Sequence, residues 1–148
     1  MLSAGVGRVD ISPEVGTAHA GWGAQTHQVS LGNDMPLLVT ALAVANGDTE
    51  LAIVDVDIGI FTGDQDLLIR GLISEKSGIP FENIRLAYSH THSAPITFGQ
   101  WIKEGIDLAN EWWDRIPDAC ASAVIEAKNV LQPARTGFGR GSCDININ

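Results

Sequence analysis

Two apolar runs, Leu37 to Ala45 and Leu51 to Ile60, flank Asn46-Gly47-Asp48, and no other feature of the chain restricts its fold as much. Asn-Gly between two such runs is the strongest short-range hairpin signal, because the turn that matches strand twist needs positive φ; the runs are predicted to pair antiparallel. From Asp64 the pattern becomes helical: Leu67, Leu68, Gly71, Leu72 and Ser74 or Glu75 fit one stripe, ended by Ser77-Gly78 before Pro80. Arg85 to Ser89 alternates as the next strand. Strand, helix and strand across residues 51 to 89 imply a parallel crossover, since parallel neighbours need a long connection. A hairpin and a crossover in one chain give an α/β fold, a mixed β-sheet with flanking helices.

Gly5 to Ile11 alternates loosely as a short strand, and residues 16 to 34, with Gly16, Gly21, Gly23 and Gly32, form a long loop. Ala109, Trp112, Trp113, Ile116, Cys120, Ala123, Val124, Ala127, Val130 and Leu131 recur at helical spacing and mark the longest helix. Pro117 either kinks it or opens a second helix from its first turn. Gln132-Pro133 ends it, and Thr136 to Gly141 reads as a short Gly-rich strand. No repeat or linker divides residues 1–148, which fit one domain.

Charge excludes one class of partner. Nine Lys and Arg against eighteen Asp and Glu give a net charge of -9 with no basic cluster, so nucleic acid is not expected. The first residues have neither a basic nor an apolar signal region, and no stretch is long enough to span a bilayer; a cytoplasmic chain is the expectation from the sequence as written. Cys120 and Cys143 are too few for a disulfide framework and read as free thiols.

Candidate chemistry concentrates at Tyr88-Ser89-His90-Thr91-His92-Ser93-Ala94-Pro95. In an extended chain residues i and i+2 share a face, with Cβ atoms roughly 6.5 to 7 Å apart, so His90 and His92 occupy one small volume where a strand meets a loop. Neutral imidazole is the commonest metal ligand, and two on one face suit one ion, or an ion and a substrate oxygen. Two hydrogen-bonded histidines at a strand end would be the purely structural arrangement. Asp55 and Asp57 share one face of an otherwise apolar strand, where carboxylates are costly unless paired or near a metal; capping a following loop is their structural alternative. If that strand neighbours Arg85 to Ser89, carboxylate and imidazole converge. Ser93 is a poor nucleophile, since His92 beside it points to the opposite face. His19 and His27, in the Gly-rich loop, read as solvated. Trp112 and Trp113 read as core, and Trp22 and Trp101, in loops on either side, as weaker binding candidates.

Several segments, in order, resemble the N-terminal part of the neutral/alkaline, non-lysosomal ceramidase family: Gly7-Arg8-Val9-Asp10-Ile11-Ser12-Pro13-Glu14-Val15-Gly16, Ile53 to Gly59, Gly78-Ile79-Pro80 with Asn83-Ile84, and Ser89 to Pro95. Pro133 to Gly141 and Ile145-Asn146-Ile147-Asn148 also fit. Members are zinc amidases that split the N-acyl bond of ceramide into sphingosine and a fatty acid, and many are secreted or membrane-associated. The resemblance implies Zn2+ as cofactor, His90 as a zinc ligand, and His92 as the catalytic histidine facing the substrate amide, holding the developing oxyanion. Geometry adds Asp55 and Asp57 as outer-shell support. The family's second zinc histidine, its glutamate and tyrosine ligands and its active-site serine lie in later segments without counterparts here. The chain is therefore expected to be the N-terminal portion of a truncated catalytic domain, inactive alone, with the missing remainder as partner and a small-molecule or lipid amide as substrate. The alternatives are an amidohydrolase of a non-ceramide N-acyl substrate, an unrelated His-x-His metallohydrolase, and a noncatalytic binding module whose site has decayed.

Overall fold

The computed structural model describes residues 1–19, 21, 23, 25–96 and 102–145. Strands β1 (Leu2–Asp10), β2 (Leu38–Asn46) and β3 (Thr49–Val56) pair antiparallel in sequence; α1 (Gly63–Ser77) then crosses over to β4 (Ile84–Tyr88), parallel to β3. Helices α2 (Ile106–Asp114) and α3 (Ile116–Asn129) follow, and the two-residue β5 (Gln132–Pro133) pairs with the free edge of β1. The sheet order is β4-β3-β2-β1-β5, the mixed sheet expected from a hairpin joined to a crossover. Asn46 pairs with Thr49, so the turn proper is Gly47-Asp48, with Gly47 at φ 62°.

One face of the sheet forms the core. Val39, Ala41, Ala43, Ala52, Val54, Val56 and Ile84 alternate onto it and pack against Ile69 and Ile73 of α1 and Cys120, Ala123, Val124 and Ala127 of α3. The close seating of α3 depends on two glycines of β1. A Cβ built on Gly5 would lie 2.1 Å from the Ala127 carbonyl oxygen, and one on Gly7 2.1 Å from that of Ala123. On the opposite face Val6 and Ile53 are 49% and 41% exposed, among half-buried Leu42, Val44 and Leu51, and no helix of the described residues covers them.

Three local readings need correction. Helix α1 buries Ile69 and Ile73, while Leu67 and Leu68 are 55% and 59% exposed. Five apolar residues between 67 and 73 allow more than one stripe, and the seat against α3 and β4 selects among them. Its ends follow the rules: Thr62 and Gln65 form a capping box, and Gly78 closes the helix in the left-handed region at φ 76°. The single longest helix is instead two, broken at Arg115, and Pro117 opens the second from its first turn, the second of the two outcomes expected of it. Residues 136 to 141 form no strand; Gln132–Pro133 takes that place, with Pro133 on the outer edge where a missing N–H does no harm. Among the described residues no helix is long and apolar enough to cross a membrane.

Candidate functional site

The carboxyl ends of β3 and β4 open onto a cleft of about 400 Å³. Ligands of open α/β sheets bind beyond the carboxyl ends of parallel strands, and this is the one parallel pair among the described strands. Ile58, Gly59 and Ile60 enter from the loop after β3, and His90, Thr91 and His92 from the loop after β4. The start of α1 adds Thr62 and Gln65, the segment after the histidines Ala94, Pro95 and Ile96, and α2 Trp112 and Trp113. An apolar wall thus surrounds a small polar group, the usual make-up of a small-molecule site.

Backbone geometry decides how the histidines are presented. β4 ends at Tyr88, and after the Ser89 N–H donates to the Val56 carbonyl at 3.0 Å the chain turns. His90 sits at φ 58°, the only non-glycine positive φ among the described residues. A residue held there costs of order 1 kcal/mol or more and persists where surrounding structure fixes it. What fixes it is the Gly59 carbonyl oxygen, 2.6 Å from His90 Nδ1. A carbonyl can only accept, so Nδ1 carries a proton, and in the neutral imidazole the lone pair is then on Nε2, the tautomer a metal-ligating imidazole needs. The His90 and His92 rings lie 5.2 Å apart, nearly perpendicular at 86°. They share one volume as expected, but through a left-handed turn rather than the i, i+2 spacing of an extended strand.

Phe61 braces the cleft wall, edge-on to Tyr88 at 5.5 Å and 5.8 Å from Trp113. Trp112 is fully buried, and its Nε1–H donates to the Ile11 carbonyl, tying α2 to the end of β1. Trp113 is only partly buried, so of the two expected core tryptophans one serves core and cleft alike and the other chiefly the cleft wall. Trp22 and Trp101 lie outside the described residues.

The carboxylates do not join the histidines in the cleft. Asp55 pairs across the sheet with Thr40 and Ala87, on the pleat face opposite Val54 and Val56. Its carboxyl is held above the usual range by partial burial and, second, by the charge of Asp57. Asp57 caps the sheet end: its Oδ2 accepts from the Leu38 N–H at 3.0 Å, and its own N–H donates to the Leu38 carbonyl at 2.9 Å. Gly59, the backbone group that orients His90, carried no signal in the sequence, because any residue has a carbonyl.

The two arms of the Gly-rich loop, residues 16–19 and 28–30, pair with each other. Ser30 N–H donates to Thr17 carbonyl, His19 N–H to Gln28 carbonyl, and Ala18 bridges Val29, making a narrow hairpin with Gly21 against the cleft. His27 is exposed as expected. His19 is not solvated: its Nε2 is buried and has no hydrogen-bond partner.

Among the described residues no three His, Cys, Asp or Glu side chains cluster as a metal-ligand set. The two imidazoles of His90 and His92 fall short of the three protein ligands that a catalytic zinc site takes beside its open position.

No known family's sequence pattern matches the chain, and no curated protein does. Its fold matches solved structures. A ceramidase complexed with C2 and the neutral ceramidase from Pseudomonas aeruginosa each superpose with a TM-score of 0.71 at 23% identity, over 89% of this chain and 22% of theirs. The chain thus spans about a fifth of the length of those proteins and shares the fold of that part.

Proposed function

We propose that this chain forms the histidine-bearing wall of the active site of a zinc-dependent amide hydrolase of the neutral ceramidase type. The observation that carries this is His90: a strained backbone, a Nδ1 proton fixed on the Gly59 carbonyl, and a free Nε2 beside a cleft. His90 is assigned as the metal ligand through Nε2, and His92 as the catalytic residue that contacts the substrate amide and donates to the oxygen on which charge develops. Bound zinc supplies a polarised carbonyl and a water of lowered pKa. Gly59 fixes the tautomer of His90. Asp57 is a positioning residue that pins the end of β3 from which Gly59 follows, and Asp55 stands two residues before it, near the end of that strand, as outer support at most. The remaining zinc ligands come from further protein structure, in this reading the remainder of a catalytic domain.

The substrate is a lipid amide or another N-acyl amide. Ile58, Ile60, Ile96, Trp112 and Trp113 favour an apolar chain beside the amide, and about 400 Å³ suits the amide with the first part of that chain, at the small end of ligand sites of about 300 to 1,000 Å³.

The test is Zn2+ titration of the purified 148-residue protein at neutral pH, in a His19→Ala/His27→Ala background, with and without His90→Ala. Saturable uptake lost in the His90→Ala protein is expected. Equal uptake by both would remove His90 from the metal site. The same preparation is expected not to turn over fluorescent N-acyl sphingosine, and turnover would show that the chain holds a complete site.

A further inference from the structure

The other two histidines of the chain are also a pair. His19 and His27 stand on facing arms of the 17–30 hairpin, their ring centres 5.1 Å apart and their planes inclined at 44°. With metal to nitrogen bonds of about 2.0 to 2.1 Å and ring centres about 1.1 Å behind the nitrogens, two imidazoles on one tetrahedral ion have centroids about 5 Å apart. The observed spacing matches that of two ligands on one ion and lies also within the range of ordinary ring packing.

The nitrogens are prepared for it as in His90. His19 Nε2 is buried and has no hydrogen-bond partner. In the tautomer with the proton on Nδ1 it is a buried lone pair whose desolvation nothing among the described residues offsets. A lone pair in that position is the kind of group that ligates a metal ion. Across from it, His27 Nδ1 lies 3.1 Å from the Thr26 hydroxyl; in the tautomer in which Nδ1 donates to that oxygen, Nε2 is the nitrogen left for a ligand. Burial and then the neighbouring imidazole hold the pKa of His19 below its ordinary value, which favours the neutral, ligating form.

We propose that His19 and His27 form a second cation site, a two-imidazole clip for a borderline divalent metal such as Zn2+ or Cu2+, separate from the His90 and His92 pair. The ion joins the two arms of the hairpin at the rung where His19 N–H already meets the Gln28 carbonyl, with its other positions held by water. Because Gly21, two residues beyond His19, lines the cleft, occupancy fixes one rim of that cleft.

The experiment uses the full chain with His90→Ala and His92→Ala, so that the first pair contributes nothing. At pH 7.5 this protein is expected to take up about one equivalent of Cu2+ or Zn2+, with Cu2+ showing the electron paramagnetic resonance signature of two imidazole nitrogens. Adding His27→Ala, an exposed position that leaves folding intact by circular dichroism, should weaken uptake at least about 10-fold and leave one nitrogen in the signal; Thr26→Val, which frees His27 Nδ1, should weaken it by about 10-fold. No saturable uptake by the double variant, a signal from one imidazole only, or uptake unchanged by His27→Ala would each overturn the site. A direct ring-to-ring hydrogen bond or a trapped water would give the first of these.

Discussion

His90 Nδ1 lies 2.6 Å from the Gly59 carbonyl oxygen, so the loop after β4 is bound to the loop after β3 at the mouth of the cleft. The two strands are parallel neighbours, with Val56 opposite Tyr88, so both loops leave the sheet at the same level and a side chain from one can reach the backbone of the other. The bond holds His90 in a left-handed conformation that an L-residue otherwise avoids.

His90→Gly is therefore expected to abolish zinc uptake at this pair while leaving stability unchanged or raising it by up to about 1 kcal/mol, because glycine takes positive φ without strain. His90→Ala should lose the metal without that relief. Urea denaturation of the metal-free proteins compares them, and a His90→Gly protein less stable than His90→Ala would show that the turn at position 90 holds no strain for glycine to relieve.

Gly7→Ala should be among the most damaging single substitutions. The added methyl meets the Ala123 carbonyl oxygen at 2.1 Å and the Ala127 nitrogen at 2.7 Å, both backbone atoms of α3 that no side-chain rotation can move. Helix α3 must lift from β1, at a cost of about 3 kcal/mol or more. A change in denaturation midpoint corresponding to less than about 1 kcal/mol would mean the seat is loose.

The cysteines should separate cleanly by alkylation. Burial in α3 pushes the Cys120 thiol up to about 12, so at pH 8 it is both protonated and sealed, whereas Cys143 is exposed. Mass spectrometry after iodoacetamide should find one modified cysteine in the folded protein and two in urea. Two in the folded protein would place Cys120 within reach of solvent.

Asp55→Asn should stabilise the fold at pH 7 and not at pH 3. Burial and the Asp57 charge hold the Asp55 carboxyl above its ordinary value of 3.8, so the folded state binds that proton more tightly than the unfolded chain. The stabilisation this gives is present below the unfolded value and lost as pH rises through the raised one, and at pH 7 the ionised group opposes folding. Thermal melts of both proteins at the two pH values decide it; equal gains at both would point to packing rather than charge.

The residues by themselves determined the hairpin, the crossover, the mixed sheet and the proximity of His90 and His92, because Asn46-Gly47, the helical spacing after Asp64 and the alternation of Arg85 to Tyr88 are local patterns that act over a few bonds. The likeness to ceramidase read from scattered motifs is matched at the level of the fold. What depended on distant partners stayed hidden. Which stripe of α1 is buried was set by α3 and β4, and the glycines of β1 drew their meaning from a helix more than a hundred residues away. The proton on His90 depends on a carbonyl that any residue at position 59 would offer, and the unpartnered nitrogen of His19 on a hairpin that its glycines disguised as an open loop. Local sequence fixes the conformations a segment favours; burial and the direction of a lone pair arise only when segments far apart in the chain are packed together.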